Sequence, residues 1–357
     1  MRLSVTFAAL ATFVCAALAQ DIITPPSTSG SLTGLKYTSV GGSGSYNQVT
    51  NLIPGTFPTC DANPSCITAP KAVSGNLAPF NEEMTFNFRG PLNLFNIAVY
   101  QPDSSGASWT QTSSWAAGQA PNNLVFMNNM GGGASGEFSI CGGSSQSFAS
   151  GDFTAAVATA NADISNGVLD QDHEMNILTA ETCASRPCDG FSRGTANHGW
   201  ADSKMLLVTF SMPPSSDASK VPAIWALNAQ IVRSAQYGCN CRGVGSPGGC
   251  GELDILETLV GADPNNGVSE IYSFKGATGS GNSNFFARPT GDKVTYAVVF
   301  DEQTDSIAIE HLAGWDYGAK EVPRATVDGY LNAAALEVNF ATGARKRGVV
   351  GGRRRAH

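Results

Sequence analysis

Apolar positions in this chain recur at every second residue, in short runs separated by Gly, Pro, Asn and Ser. "EMTFNFRG" and "LFNIAVY" show the alternation in the first third. "NNLVFMNN", "HEMNILTA", "KMLLVTFSMP", "VPAIWALNAQIV", "GELDILETLV" and "VTYAVVFDEQTDSIAIEHL" continue it. Period two marks strands, because successive side chains point to opposite faces of a sheet. A 3.6-residue period is suggested only near Thr154–Ala162 and Leu331–Val338, which predicts two short helices there. Many short strands at regular spacing predict an all-β fold, a β-sandwich or a barrel. The forty glycines are dispersed and fit turns between strands.

Composition divides the chain. Residues 1–19 carry Arg2, an apolar run and the small-residue ending Ala17-Leu18-Ala19, which predicts a secretory signal too short to span a bilayer. Residues 20–34 read as a flexible segment, 35–103 as a smaller β-rich N-terminal domain and 104–121 as a linker. Residues 122–340 form the larger domain, and 341–357 a basic, disordered tail. No other apolar run suggests a membrane span. Net charge is −8, from 29 acidic and 21 basic residues. Residues 345–355 hold several of the basic ones, so the body is more acidic still, which argues against nucleic acid and anionic membranes as partners.

Secretion implies an oxidising compartment. Eight cysteines remain once Cys15 leaves with the signal: Cys60, Cys66, Cys141, Cys183, Cys188, Cys239, Cys241 and Cys250. Disulfides are expected, with Cys60–Cys66 and Cys183–Cys188 favoured by proximity. A zinc site built from the cluster at 239–250 is the rival, weakened by the lack of a repeated CxxC pair or a nearby histidine. No metal or cofactor is expected.

Charge is sparse, yet "GELDILE" holds Glu252, Asp254 and Glu257. A regular strand would turn Glu257 away from the other two acids, so the spacing predicts a β-bulge that returns all three to one face. Leu253 and Ile255 then face the core, with Leu256 at or near the bulge. Carboxylates crowded on one face cannot all ionise freely, the condition under which a general acid works beside an ionised nucleophile. A solvated edge strand would be more polar than Leu-x-Ile-Leu, and a calcium loop of the D-x-D-x-D-G kind is not present.

"GELDILE" resembles the E-x-D-x-x-E signature of glycoside hydrolase family 16. "FSMPPSSDASKVPAIWALN" and "VTYAVVFDEQTDSIAIEHL" are similar to the strands that flank it there. "GGSGSYNQVTNL", "LAPFNEEMTFNFRGPLNLFNIAVYQP" and "HGWADSKMLLVTFSMP" resemble a two-part family of secreted fungal cell-wall proteins acting on β-1,3-glucan. The resemblance covers roughly residues 35–312. It implies a concanavalin-like jelly-roll sandwich and a secreted endo-β-1,3-glucanase that works with retention. Glu252 is then the nucleophile, Glu257 the acid/base and Asp254 the residue that orients the nucleophile. A transglycosylase using the same carboxylates and a non-catalytic carbohydrate-binding protein are the alternatives. Trp225, one strand upstream, is expected to line the sugar cleft, the alternative being a core tryptophan; Trp200, Tyr272 and Phe274 are further candidates. The expected partner is a β-glucan polysaccharide, with the chain a monomer.

Two other motifs carry little. "GFSRG" fits a nucleophile elbow around Ser192 but lacks the strand before and helix after that an elbow needs. "GVGSPG" fits a dinucleotide fingerprint in the wrong structural order.

Overall fold

The computed structural model describes residues 31–52, 66–130, 146–192, 196–234, 240–243, 249–281, 283–333 and 336–341. The first strands are β1 (Ser31–Leu32), β2 (Gly34–Thr38), β3 (Gly44–Leu52), β4 (Cys66–Val73), β5 (Met84–Arg89), β6 (Leu92–Pro102), β7 (Ser108–Ala116) and β8 (Val125–Asn128). There follow β9 (Ser147–Ala149), β10 (Ala156–Val157), β11 (Val168–Leu169), β12 (Glu174–Leu178), β13 (Lys204–Ser211), β14 (Ala223–Asn228) and helix α1 (Ala229–Ser234). The chain continues through β15 (Glu252–Glu257), β16 (Asn266–Ser273), β17 (Gly276–Gly279), β18 (Phe285–Ala287), β19 (Val294–Asp301) and β20 (Ser306–Leu312). It ends with β21 (Glu321–Pro323), helix α2 (Arg324–Leu331) and β22 (Leu336–Asn339).

Among the described residues these strands make two large sheets and a small one. The eleven-stranded sheet runs β1-β18-β16-β15-β14-β5-β12-β8-β9-β10, with β17 also on β16. The nine-stranded sheet runs β21-β7-β6-β13-β19-β20-β2-β22, with β11 on β6, and β3-β4 stand apart as a hairpin. Alternation explains the layers. Phe86 and Phe88 of β5, Ile224 and Ala226 of β14 and Leu253 of β15 meet Leu206 and Val208 of β13, Val298 and Phe300 of β19 and Ile307 and Ile309 of β20 in one core. The intervening residues of the nine-stranded sheet, Met205, Leu207, Ala297, Val299 and Ala308, form a second cluster on its outer face beneath Val327, Tyr330 and Leu331 of α2. The molecule is therefore an all-β sandwich of two packed sheets.

Several expectations change. First, the stretch read as a linker contains β7, which pairs with β6 along most of its length. Second, the described residues of the part expected as an N-terminal domain share the main core with the rest. Its strands β5 and β6 lie inside the two large sheets, between β14 and β12 and between β7 and β13, because their alternating apolar faces are completed only by later strands. The expected flexible segment likewise ends early, since β1 begins at Ser31.

Third, Thr154–Ala162 forms no helix. β10 pairs with β9 there, and Phe153 and Asn161, both at positive φ, close off the segment. Fourth, the C-terminal helix lies earlier than its alanine-rich stretch implies. α2 stops at Leu331, and Leu336–Asn339 pairs with β2 instead. α1 interrupts the run "VPAIWALNAQIV" expected as a strand; Asn228 switches the chain, its Oδ1 accepting the Gln230 N–H at 3.1 Å as a helix cap does.

Cys183–Cys188 and Cys241–Cys250 are disulfides. The second occupies sulfurs that a zinc site at 239–250 would need. Cys66 is also disulfide-bonded; its expected partner Cys60 lies outside the described residues, as do Cys141, Cys239, the signal and the basic tail. Among the described residues no helix is long and apolar enough to cross a membrane.

Candidate active site

The acid strand β15 sits between β14 and β16, and its register breaks on both sides. Against β14, Asp254 opposes Trp225 and Leu256 opposes Ile224, so Ile255 is skipped. Against β16, Asp254 opposes Glu270 and Glu257 opposes Val268. This is a β-bulge centred on Ile255 with Leu256 beside it. Leu253, Ile255 and Leu256 all enter the main core.

Residues directly opposed in antiparallel strands share a face, so the registers define three rows on the outer face of the sheet. One row holds Thr85, Leu227, Glu252 and Tyr272; the next Asn87, Trp225, Asp254 and Glu270; the third Arg89, Ala223, Glu257 and Val268. The three acids thus project the same way.

The bulge is supported from the core side. The Ser269 hydroxyl donates to the Asp254 carbonyl at 2.7 Å and also bonds the Tyr37 hydroxyl at 2.9 Å, so the interrupted ladder is satisfied by side chains. A buried carbonyl left unpaired would cost about 1–3 kcal/mol. Gly267 makes room for the displaced Leu256: a Cβ there would lie 2.8 Å from the leucine side chain.

Glu252, Asp254 and Glu257 are only 6, 1 and 4 % exposed. Two arginines bracket them. Arg242 Nε lies 3.3 Å from Glu252 Oε2, and Arg89 NH2 lies 3.0 Å from Glu257 Oε1. Arg89 also donates from Nε to the Val221 carbonyl at 2.7 Å and sits 5.8 Å from the Trp225 ring, which fixes its guanidinium. Glu270 adds a fourth carboxylate; it accepts the Tyr272 hydroxyl. Burial, then the charges of Asp254 and Glu270, push the Tyr272 phenol far above its ordinary range. In the middle row, the buried Asn87 Oδ1 and Trp225 Nε1 have no hydrogen-bond partner among the described residues. Orphaned polar atoms are uncommon in a folded interior, and here they border the acids.

Burying three carboxylates costs several kcal/mol per ion. The three apolar side chains of the same strand return roughly 1.5–3 kcal/mol each. Pairing with Arg242 and Arg89 offsets part of that cost for the outer two, and buried charged clusters of this kind are common at functional sites.

The other expected residues separate. Tyr272 is half-buried on the acid face. Trp225 shares that face but is only 4 % exposed, packed with Tyr46 of β3 and with Cys241 and Cys250. Trp200 lies in the main core against Phe86, 5.6 Å between ring centroids, and its indole donates to Ser113 Oγ. The structure therefore does not bring it to the acids. Phe274 is buried just past the end of β16, its ring so close to Gly44 that a Cβ would lie 2.2 Å away. It anchors the β3–β4 hairpin, which Tyr46–Glu82 (2.6 Å), Lys71–Glu82 and Lys71–Asp189 (2.8 Å each) also hold.

Sequence reasoning missed Arg89, Asn87, Glu270 and Arg242. The first two were legible, because Thr85, Asn87 and Arg89 alternate with Phe86 and Phe88 as the polar face of β5. Among the described residues no helix directly follows Ser192, since 196–203 are non-helical and β13 comes next.

The model of the family described as "Cell wall protein YJL171C/Tos1, C-terminal" matches residues 107–328, and its N-terminal counterpart matches residues 33–102. The chain belongs to this family. It is 28 % identical over 305 residues to the probable circularly permuted 1,3-beta-glucanase YJL171C of Saccharomyces cerevisiae, covering 77 % of this chain and 74 % of that protein. A protein of the same printed description from Schizosaccharomyces pombe is 34 % identical over 251 residues, 66 % of this chain and 48 % of its own length. PGA52 of Candida albicans, described likewise, is 27 % identical over 330 residues, 85 % and 83 % of the two chains. This chain thus spans about half of the fission-yeast relative. No solved structure matches it.

Proposed function

We propose that this chain is an endo-β-1,3-glucanase of the cell wall that works with retention, through a covalent glycosyl-enzyme, as a family 16-like enzyme would. The observation that carries the reading is the bulge at Ile255, which turns Glu252, Asp254 and Glu257 to one face. Glu252 attacks the anomeric carbon while Glu257 protonates the departing glycosidic oxygen. Glu257 then takes a proton from water, which hydrolyses the glycosyl-enzyme. Asp254, between them in the central row, orients Glu252. Arg242 and Arg89 hold the outer carboxyls in place before substrate arrives, which is preorganisation. Half-buried Tyr272 and Glu270 are the groups beside the acids that a sugar's hydroxyls can reach, with Trp225 as the wall behind Arg89.

The printed names of the relatives support β-1,3-glucan as substrate, and the family's description supports the cell wall as the place of action, reached through the secretory signal expected at 1–19. Those names also say circularly permuted. Here β2 and β22, from the two ends of the described chain, pair in parallel. Adjacent ends are what makes such rewiring tolerable.

The test is product analysis on laminari-oligosaccharides with wild type, Glu252→Gln and Glu257→Gln. The wild type should give shorter products of retained anomeric configuration, and each variant should lose about 10²–10⁴-fold in rate. Full activity in either variant overturns the assignment. Longer products would mark a sugar rather than water as acceptor, and no change with any β-glucan would mark a binding protein.

A further inference from the structure

We propose that a second carbohydrate-binding site lies on the outer face of the nine-stranded sheet, on the opposite side of the sandwich from the acids, and that it takes a segment of a neutral β-glucan chain. This rests on the glucan reading above for the identity of the sugar. The observation is a cavity of about 350 Å³, within the usual range for small-molecule sites.

Its floor crosses three strands. Asn96 of β6, Thr209 of β13 and Thr295 of β19 are opposed in register and lie on the α2 side of the sheet. Beneath α2 that face is largely apolar, with Met205, Leu207, Ala297 and Val299, Glu310 opposite Ala297 being the exception. The polar row breaks the pattern where the cavity opens. Thr209 and Thr295 hydroxyls bond each other at 2.8 Å, and Thr209 also bonds the Tyr317 hydroxyl at 2.8 Å. This sets a fixed array of hydroxyl groups, each able to donate and accept.

The wall is aromatic. Trp315 is held at its edge, with Nε1 donating to the Tyr100 hydroxyl at 3.2 Å and ring contacts to Tyr100 and Tyr330 at 5.7 and 6.5 Å. It remains half-buried and lines the cavity together with Tyr317. A ring already locked in place loses little rotamer freedom on binding. Lys293, exposed at the rim, is the one Lys, Arg, Asp or Glu among the described lining residues. An aromatic wall over a floor of hydroxyl and amide groups, with little charge, suits a neutral sugar ring that presents an apolar face and a polar edge. It does not suit a phosphate or a peptide carboxylate. For a polymer substrate, a second grip tethers the chain and raises its local concentration at the acids.

The experiment compares retention on insoluble β-1,3-glucan in the full chain carrying Glu252→Gln, with and without Gly314→Phe or Trp315→Ala. Gly314 lines the cavity, and a Cβ there meets nothing within 4 Å, so its substitution fills space without breaking packing. It keeps the test valid should Trp315→Ala unfold. Both variants should bind the polymer about ten-fold more weakly. In the background with Glu252 intact, cleavage of short soluble oligosaccharides should stay unchanged. Polymer binding at the unsubstituted level in a folded Gly314→Phe protein overturns the second site alone, provided oligosaccharides are still cleaved. A wild type that neither binds nor cleaves any β-glucan overturns both readings.

Discussion

Glu310 is a carboxyl in a place where a sequence gives no warning. It sits on β20 opposite Gly34, 1 % exposed, and neither oxygen has a hydrogen-bond partner among the described residues. Gly34 is needed there, since a Cβ would fall 2.4 Å from Oε2. Burial raises the Glu310 carboxyl to about 8. In the folded state it then keeps a proton that the unfolded chain releases near its ordinary value. Stability is greatest below that ordinary value, falls as pH rises through the window up to about 8, and levels off above it. At about 1.4 kcal/mol per unit this is a loss on the order of a few kcal/mol. Glu310→Gln should therefore melt with wild type at pH 4.5 and several degrees higher at pH 8. Parallel melting curves across that range would contradict the account. The alternation in "SIAIEHL" places Glu310 away from Ile307 and Ile309, but that its face is buried depends on what covers it.

At the scale of the element, β15 shows how one extra residue can serve a site. Ile255 is skipped by both neighbouring strands, and removing it should restore a regular strand with the three acids at alternate positions. If the proposed glucanase reading holds, deletion of Ile255 keeps measurable glucan cleavage while losing one buried apolar side chain, worth about 2–5 kcal/mol. Calorimetry and product analysis check the two parts separately. Activity as low as that of Glu257→Gln in a folded deletion protein would show that the bulge does more than restore parity. The uneven E-x-D-x-x-E spacing made this bulge legible, because period-two geometry leaves few other ways to gather the acids. Its support was not legible, since Ser269, Tyr37 and Gly267 come from other strands with no pattern that marks them. The two misplaced helices have the same origin. Local spacing near 154–162 and 331–338 is weak, and pairing to β9 and β2 overrides it.

For the whole molecule, the sheet order interleaves strands from the two matched parts of the chain, which predicts one folding unit. β5 supplies Arg89 to Glu257, and β5 and β6 lie inside the sheets completed by residues beyond 107. Expressed alone, residues 20–103 and 104–357 should each be insoluble or lack cooperative melting, whereas co-expression should recover a soluble complex. Independent cooperative unfolding of either fragment would restore a two-domain description. The Cys241–Cys250 disulfide acts at the same scale. It closes the short loop that carries Arg242 to Glu252, and closing such a loop contributes about 2–3 kcal/mol in the chain-entropy view.

By itself, the sequence determined the all-β class, most strand positions and the acid row of β15, because these follow from periodicity and spacing within one segment. Only the tertiary structure decided which strands neighbour one another. That choice placed Arg89, Asn87 and Glu270 beside the acids, sent Trp200 into the core, packed Trp225 with Tyr46 of β3 and left a polar cavity at Trp315. Each depends on contacts between residues far apart in the chain, and period two says which face a side chain takes without saying what lies opposite it.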